Sequence, residues 1–330
     1  NMCGIVGYVG PDDVKEILLS GLEKLEYRGY DSAGLALINA EGVHIFKDKG
    51  RIEALRNIVP KDVKSNLGIG HTRWATHGVP NRINAHPHQS SSRRFTLVHN
   101  GIIENEVYLK TRYLNGVKFE SDTDTEVIVA LIQKFVDDGE SVELAIRHTM
   151  SEIQGSYALA ILDKEDSNVI YAAKNKSPLL AGIGQGFNMI GSDAMAMISH
   201  TNMFYELEDK EFVKVTRDSI DIYTIYGAKV DREPFKADLD LSDIEKGIYP
   251  HYMLKEIEEQ PFVIRKIINQ YSDNNAQPFI DKAILNDFKE ADKIYIIACG
   301  TSYHAGLIGK QFFEKIAGKH FEILDRIQEL

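Results

Sequence analysis

The chain has 330 residues, of which 43% are hydrophobic and 26% charged, a composition typical of a soluble globular protein and not of a disordered one. Its net charge of −11 argues against a nucleic-acid-binding protein, because such proteins present basic surfaces to phosphate. Two cysteines exclude a disulfide framework and fit a reducing compartment. The sequence has no apolar segment of membrane length and no signal-peptide pattern, so we expect a cytoplasmic protein.

Short runs rich in β-branched and aromatic residues dominate the first two thirds of the chain and predict strands. These runs are GIVGYVG (4–10), SAGLALIN (32–39), VHIFKD (43–48), LGIGHTRWAT (67–76), FTLVHNGII (95–103), SYALAILD (156–163), NVIYAAKN (168–175), GFNMIGSD (186–193) and EFVKVT (211–216). Apolar residues at helical spacing predict helices over 12–27, 127–135 and 141–154. Two groups of strands with helices between them indicate an α+β domain.

The composition changes near residue 236. An acidic, helical stretch without strand signals follows and predicts a linker that leads into a helix. Residues 293–318 then predict a buried strand, a Gly-Thr-Ser turn and a helix, as at the start of a new α/β domain. We therefore expect a first domain over 1–238, a linker and leading helix over 239–260, and the beginning of a second domain over 261–330.

The last eleven residues, HFEILDRIQEL, do not fit a simple continuation of that second domain. Another strand is expected after the helix that ends near Gly318. Instead, Ile323, Leu324, Ile327 and Leu330 stand at helical spacing.

Cys3, close to the start of the chain, is a candidate nucleophile. A thiolate is a strong nucleophile, but an ordinary cysteine is mostly protonated at neutral pH and needs a nearby base. A terminal cysteine carries that base on its own backbone, because an α-amino group titrates near about 8. The alternative is a small buried residue in a first strand.

The segment HTRWATHG (71–78) is dense in polar residues directly after a predicted strand. Arg73 offers a planar guanidinium that can hold a carboxylate with two hydrogen bonds. Trp74 is the only tryptophan, and a core position is as compatible with the sequence as a lid. The histidines of this part of the chain match no standard zinc spacing, so we expect no metal site. They are His71, His77, His86, His88 and His99.

The pair Asn100–Gly101 allows two interpretations. Asn-Gly is the strongest short turn signal, and on this pair alone a tight turn at the end of a strand is favoured. An asparagine amide and a glycine N–H can also stabilise a developing oxyanion.

The segment SDTDTE (121–126) also has two interpretations. Thr123 and Glu126 can form a capping box, and helix capping explains the carboxylates without any function. A carboxylate free of the cap, such as Asp124, can instead bind the ammonium group of an amino acid. Further on, free N–H groups and hydroxyls at Gly300, Thr301 and Ser302 favour a phosphate at a helix start.

Taken together, these motifs resemble the glutamine–fructose-6-phosphate aminotransferases (isomerising), a family with a type 2 glutamine amidotransferase domain. The resemblance covers nearly all of residues 2–319. It is carried by MCGIVGY, LEYRGYDSAG, GHTRWATHG, HNGIIEN, SDTDTEV, KGIYPHYMLKEIEEQP and ACGTSYHAG. It implies an N-terminal-nucleophile glutaminase domain with four αββα layers, followed by the start of an α/β sugar isomerase (SIS) domain.

The resemblance also implies roles for individual residues. Cys3 would attack the side-chain amide of glutamine, with Asn100 and Gly101 as the oxyanion hole. Glutamine would be bound by Arg73, Trp74, Thr76, His77 and Asp124. Trp74 would in addition gate the ammonia route. Gly300, Thr301 and Ser302 would bind the sugar phosphate.

The implied reaction releases ammonia from L-glutamine and transfers it to fructose 6-phosphate, which becomes glucosamine 6-phosphate. The resemblance implies no metal or organic cofactor, a homodimer through the isomerase domain, and neither a nucleic-acid nor a membrane partner. The family's ring-opening histidine and catalytic lysine do not occur in the 330 residues, so we expect these residues to lack synthase activity. Because an amide nitrogen is not basic, we also expect little glutaminase activity while Asn1 and Met2 precede Cys3.

Two other functions stay open at this point. Amidophosphoribosyltransferase shares the glutaminase architecture, but should carry a phosphoribosyl-diphosphate loop where this chain has ACGTSYHAG. A sugar-phosphate-binding regulator built on an isomerase-type domain would need no complete set of glutaminase motifs.

Overall fold

The computed structural model describes residues 3–26, 30–74, 79–237, 251–272, 280–298 and 300–325. Contacts divide the chain into two compact units, 1–245 and 246–330. Within the described residues, no helix combines the length and the apolar character that a membrane crossing requires.

The first unit contains fifteen strands and five α-helices among its described residues. The strands are β1 (Gly4–Val9), β2 (Ser32–Asn39), β3 (Gly42–Lys49), β4 (Leu67–Arg73), β5 (His88–Gln89), β6 (Phe95–Ile103), β7 (Gly155–Asp163), β8 (Asp166–Asn175), β9 (Leu180–Ile183), β10 (Asn188–Gly191), β11 (Met203–Glu206), β12 (Glu211–Thr216), β13 (Ile220–Thr224), β14 (Lys229–Val230) and β15 (Phe235–Lys236). The helices are α1 (Val14–Glu23), α2 (Ile52–Ile58), α3 (Glu106–Tyr113), α4 (Thr125–Asp137) and α5 (Val142–Glu152).

These strands form two sheets. One has eight strands in the order β15-β11-β9-β10-β1-β4-β2-β3, and the other has seven in the order β14-β13-β12-β8-β7-β6-β5. Each strand pairing within the two sheets is antiparallel. The predicted α+β fold with two antiparallel sheets is therefore confirmed.

Three buried clusters create the layers. Alternate residues of a strand point to opposite faces, so Ile5 and Val9 of β1 pack between the sheets, whereas Val6 and Tyr8 pack against α1 and α2. On the other side, the outer face of the seven-stranded sheet packs against α3, α4 and α5. The order of layers is helix, sheet, sheet, helix. Both sheets are thus buried on two faces, which explains why their strands are continuous apolar runs.

Two local expectations in this unit are wrong. Asn100 and Gly101 do not form a turn, because β6 continues to Ile103 and pairs with β7 along this stretch. The Thr123–Glu126 capping box does not form either: Asp124 is the N-cap of α4. The Glu126 carboxylate accepts hydrogen bonds from backbone amides 120 and 121 instead, both at 2.8 Å. At Asn100–Gly101, pairing with a strand distant in the sequence overrides the local turn preference. Glu126 is instead bound by backbone amides only five and six residues away.

The second unit is smaller. Its described elements are α6 (Tyr252–Gln270), α7 (Lys282–Glu290), β16 (Lys293–Ala298), α8 (Gly300–Phe312), a π-helical turn (Phe313–Ala317) and β17 (His320–Asp325). α6 continues past residue 260, where the sequence analysis places the end of the leading helix. β16 and β17 are parallel, in the register Lys293 to His320.

The C-terminal segment forms the strand expected after the helix that ends near Gly318, whereas β16 is less buried than expected. Residues 320–325 form a strand and not the helix that their spacing suggests, because their backbone pairs with β16 along its whole length. The buried strand expected at 293–298 is only half covered: Tyr295 is 54% and Ile297 65% exposed. Residues 326–330 lie outside the described residues.

Candidate active site

The site lies where strands of both sheets end near the start of α4. β1 pairs with β4 so that Gly4 faces Thr72, which brings Cys3 beside Arg73 and Trp74. β6, in the other sheet, carries Asn100. One small pocket is lined by Cys3, Arg73, Trp74, His86, His99, Gly101, Thr123, Asp124 and Thr125. The fold thus gathers residues that are up to 122 positions apart in the sequence, from Cys3 to Thr125.

The Cys3 thiol is held by the backbone of Trp74. The Trp74 N–H donates to Cys3 Sγ at 3.3 Å, and the thiol donates to the Trp74 carbonyl at 3.7 Å. Burial raises the pKa of Cys3, while the Trp74 N–H and the positive charge of Arg73 act in the opposite direction. The resting thiol is therefore protonated at neutral pH and requires a base to react.

Asn100 and Gly101 face Cys3 from β6. Asn100 Nδ2 donates to the Cys3 carbonyl oxygen at 3.0 Å. Gly101 has φ +138°, and a Cβ at this position would lie 2.0 Å from the Ser156 carbonyl oxygen. Only glycine fits this backbone, which therefore approaches the pocket without a side chain.

Asp124 is buried, with 5% exposure, beside the same pocket. Its side chain makes no capping hydrogen bond to α4, and Asp124 Oδ2 accepts instead from the Ile103 N–H at 2.7 Å. The carboxylate is thus free of the cap. A carboxylate that receives one backbone N–H retains sites for further donors.

Arg73 is buried, with 4% exposure, at the end of β4. Trp74, by contrast, is 38% exposed, so a core position is excluded for this residue. The structure brings Arg73, Trp74 and Asp124 to one pocket. Thr76 and His77 lie outside the described residues.

Gly300, Thr301 and Ser302 form the first turn of α8, directly after β16 and the undescribed position 299. All three residues are exposed, and Gly300 has φ +59°. They belong to the second unit. Over the described residues, no group of three or more His, Cys, Asp or Glu side chains is arranged to hold a metal ion.

Several residues around the pocket were missed as site residues by sequence reasoning. His86 and His99 are buried and line it, with the Thr125 hydroxyl between their rings. His71 is buried as well and stacks on His86. Their density in the sequence suggested only a metal site, because the contact between β4 of one sheet and β6 of the other is not visible in a local pattern.

Comparison with known proteins gives two domain matches. The glutamine amidotransferase domain family matches residues 60–227, which is half of the chain, and the SIS domain family matches residues 287–328. The second match includes β16, α8 and β17.

Two curated relatives carry the same name. The glutamine–fructose-6-phosphate aminotransferase (isomerizing) of Geobacillus kaustophilus is 65% identical over 316 residues, which are 96% of this chain and 53% of that protein. The protein of the same name from Halalkalibacterium halodurans is 61% identical over 98% of this chain and 54% of its own length. The chain thus spans about half the length of the curated relatives that it matches.

Two solved structures share the fold. One, described as the structure of the allosteric regulatory enzyme of purine biosynthesis, has a TM-score of 0.59 and 26% identity over 68% of this chain and 49% of that one. The other, glutamine phosphoribosylpyrophosphate amidotransferase from B. subtilis, has a TM-score of 0.62 and 21% identity over 97% of this chain and 65% of its own. With its two stacked sheets, its pocket at Cys3 and the match over residues 60–227, the chain belongs to the glutamine amidotransferase domain family.

Proposed function

We propose that the first unit hydrolyses L-glutamine with Cys3 as nucleophile, and that the ammonia serves the synthesis of glucosamine 6-phosphate from fructose 6-phosphate. The observation that carries the first part is the pocket that joins Cys3, Arg73, Gly101 and Asp124. Hydrolysis of glutamine uses a thiol to attack the side-chain amide, a cation for the α-carboxylate, an anion for the α-ammonium group and a glycine backbone N–H for the oxyanion.

Substrate binding uses the two buried charges. The Arg73 guanidinium holds the α-carboxylate of glutamine, and the Asp124 carboxylate holds its α-ammonium. Support comes from their burial, at 4% and 5% exposure, because charge pairs with a ligand are stronger away from water. Trp74, Thr76 and His77 complete the glutamine site in this proposal.

The chemistry then proceeds in two steps. The α-amino group of Cys3 takes the thiol proton, and Sγ attacks the side-chain amide carbon of glutamine. The Asn100 amide and the Gly101 N–H stabilise the oxyanion. Collapse of the intermediate returns a proton to the leaving nitrogen, so that ammonia departs and a thioester remains. Water then cleaves the thioester, which releases glutamate and the thiol.

The raised pKa of Cys3 makes the base essential. A thiol with a raised pKa is protonated at neutral pH, so the proton must leave as the bond to carbon forms. The α-amino group lies on the same residue and titrates near about 8 when it is free. The active form therefore begins at Cys3.

The transfer of ammonia to the sugar belongs to the sugar isomerase domain. We place the sugar phosphate at Gly300, Thr301 and Ser302, because exposed N–H groups and hydroxyls at the first turn of α8 suit a phosphate. No metal or organic cofactor enters the proposal. The reaction is the first step toward UDP-N-acetylglucosamine, in a cytoplasmic homodimer that forms through this domain.

The SIS match favours this function over that of an amidophosphoribosyltransferase. Residues 287–328 match a sugar isomerase (SIS) domain, in the part of the chain where an amidophosphoribosyltransferase should carry a phosphoribosyl-diphosphate loop.

Kinetics of glutamine hydrolysis test the proposal, with protein whose mass shows Cys3 as the first residue. Glutamate and ammonia should appear in equal amounts. Asp124→Asn should raise the KM for glutamine about 10- to 100-fold, the loss of a charged hydrogen bond of about 1.5–3 kcal/mol. Asp138→Asn, at the exposed C-terminal end of the same helix, should leave KM unchanged.

The outcomes are distinct. An unchanged KM in Asp124→Asn, or equal hydrolysis rates with and without Asn1 and Met2, would contradict the roles given to Asp124 and to the Cys3 amine. From these 330 residues alone we expect no glucosamine 6-phosphate. Its formation would mean that the isomerase chemistry needs no further sequence.

A further inference from the structure

Four histidines form a buried group at the candidate active site, and two of them, His86 and His99, line its pocket. The His71 and His86 rings stack with centroids 4.2 Å apart at 16°, and the His86 and His88 rings meet edge to face at 4.9 Å. His99 stacks on His86 at a longer 6.5 Å. The proposed chemistry uses none of these rings, so their place beside the pocket requires another explanation.

His71 has a single possible proton arrangement. Its Nε2 lies 2.9 Å from Asn100 Oδ1 and 3.0 Å from the His99 carbonyl oxygen. Both partners are acceptors, so Nε2 must carry the proton and donate. His71 is fully buried, and burial lowers its pKa to about 3, so the ring is neutral at physiological pH.

This arrangement decides which way the Asn100 amide points. With Oδ1 on the His71 N–H, the NH₂ group is turned toward Cys3, where Nδ2 donates to the carbonyl oxygen at 3.0 Å. A flipped amide would place NH₂ against the His71 N–H and Oδ1 against the Cys3 carbonyl, losing both hydrogen bonds. The second N–H of Asn100 is the donor that the proposed oxyanion hole requires.

The rings of His86 and His99 hold the same tautomer. His99 Nε2 donates to the Ser156 carbonyl at 3.3 Å, so His99 Nδ1 accepts from the Thr125 hydroxyl at 2.9 Å. That hydroxyl accepts in turn from His86 Nε2 at 3.4 Å. His86 Nδ1 accepts from the His99 backbone N–H at 3.2 Å. His86 and His99 therefore donate from Nε2 as His71 does, and His86 supports the ring of His71 by stacking.

We propose that His71 is a positioning residue for glutamine hydrolysis, whose neutral Nε2–H form fixes the Asn100 amide with its NH₂ group toward the reacting carbon. The inference rests on the proposed function and deepens it. His71 does not touch the substrate. It acts through Asn100, and the histidine group behind it keeps its ring neutral and oriented.

Two substitutions at this position separate positioning from packing. His71→Phe keeps a ring for the stack with His86 but removes the donor, whereas His71→Gln restores an N–H donor. For His71→Phe we expect kcat to fall about 10- to 100-fold, less than or equal to the loss of a whole oxyanion donor, with KM within about twofold. His71→Gln should recover a substantial part of kcat.

A matched control and a double variant complete the kinetics. His148→Phe removes another histidine that is hydrogen-bonded and stacked, on α5, and should leave kcat unchanged. If His71 acts through Asn100, adding His71→Phe to Asn100→Ala should lower kcat by no more than about twofold further. Multiplied losses, or equal losses in the Phe and Gln variants, would overturn the proposal.

A spectroscopic experiment makes the inference independent of turnover. In ¹⁵N NMR of the unsubstituted protein, the His71 ring should show the neutral Nε2–H tautomer from pH 5 to 9. In His71→Phe the Asn100 side-chain NH₂ signals should shift, and in His148→Phe they should not. A charged or Nδ1–H ring, or unmoved Asn100 signals, would overturn the positioning role. Shifted signals in a protein that never hydrolyses glutamine would refute the proposed function alone.

Discussion

Strand β7 in the first unit and strand β16 in the second are both apolar runs, yet their environments differ. In β7, Leu159 and Ile161 pack under helices while Ala158 and Ala160 pack against the other sheet. In β16, Ile297 is 65% exposed. The same kind of sequence is thus covered on both faces in the first unit and on one face in the second.

The number of covering layers explains this difference. β7 has a strand on each side, helices on one face and a second sheet on the other. Within the described residues, β16 pairs with β17 alone. One of its faces, which carries Ile296, is covered by α8, because a Cβ built on Gly306 of α8 would lie 3.2 Å from the Ile296 side chain. An apolar sequence can be buried on both faces, but the neighbouring elements decide how much of its surface is removed from water.

The largest effect should separate the chemistry of the two units. Cys3→Ala removes the nucleophile, so we expect glutamine hydrolysis to fall by more than about 10³-fold. Thr301→Ala, in the second unit, should leave hydrolysis unchanged. Both are measured as glutamate release with Cys3, or its replacement, as first residue. Residual hydrolysis above one-tenth in purified Cys3→Ala would place the nucleophile elsewhere.

Next in size is a pair of side-chain truncations, one at a buried and one at an exposed isoleucine. Ile128 in α4 is fully buried, so Ile128→Ala should lower the free energy of unfolding by about 2–5 kcal/mol. Ile297→Ala, at an exposed position of β16, should lower it by less than about 0.5 kcal/mol. Urea unfolding monitored by circular dichroism measures both. Similar losses at the two positions would mean that β16 is covered in solution.

Acid sensitivity that arises from buried histidines should lie in the first unit. Burial lowers the pKa values of His71, His86, His88 and His99 in the folded protein. Below the unfolded-state value near 6.5 the unfolded chain binds more protons. Stability is therefore complete above pH 6.5 and falls with decreasing pH, by about 1.4 kcal/mol per pH unit for each histidine.

Two histidine variants test that assignment. Removing one lowered pKa, with His86→Phe, should make the free energy of unfolding depend less steeply on pH between 6.5 and 5. His320→Gln in the second unit, where 63% of the side chain is exposed, should leave the slope unchanged. An identical slope in all three proteins would show that other groups control acid unfolding.

The smallest effect is expected at the pocket itself. Trp74 is 38% exposed, so Trp74→Phe should change the free energy of unfolding by less than about 0.5 kcal/mol. Thermal unfolding followed by circular dichroism measures this. A loss of several kcal/mol would return Trp74 to the core.

Much of the fold and the site was predictable from the sequence because the signals were local. Continuous apolar runs bounded by Gly and Asn marked β1, β2 and β7, since strands buried on both faces are apolar throughout. Shorter strands escaped prediction: β9, β11 and β13 have only four or five residues. Such segments are too short to show a period.

What failed depended on partners distant in the sequence. Asn100–Gly101 has the strongest turn signal, but β7 pairs with it and holds Gly101 in an extended, positive-φ conformation. Residues 320–325 have helical spacing but pair with β16. The hydrogen bond from His71 to Asn100 joins residues 29 apart, which no motif encodes.

One consequence of the Cys3–Trp74 contact concerns observation of the molecule. The chain has a single tryptophan, and its backbone holds the candidate nucleophile while its indole is partly in water. Intrinsic fluorescence excited at the indole therefore comes from one point, adjacent to the reacting sulfur. Events at the thiol therefore become visible without a label.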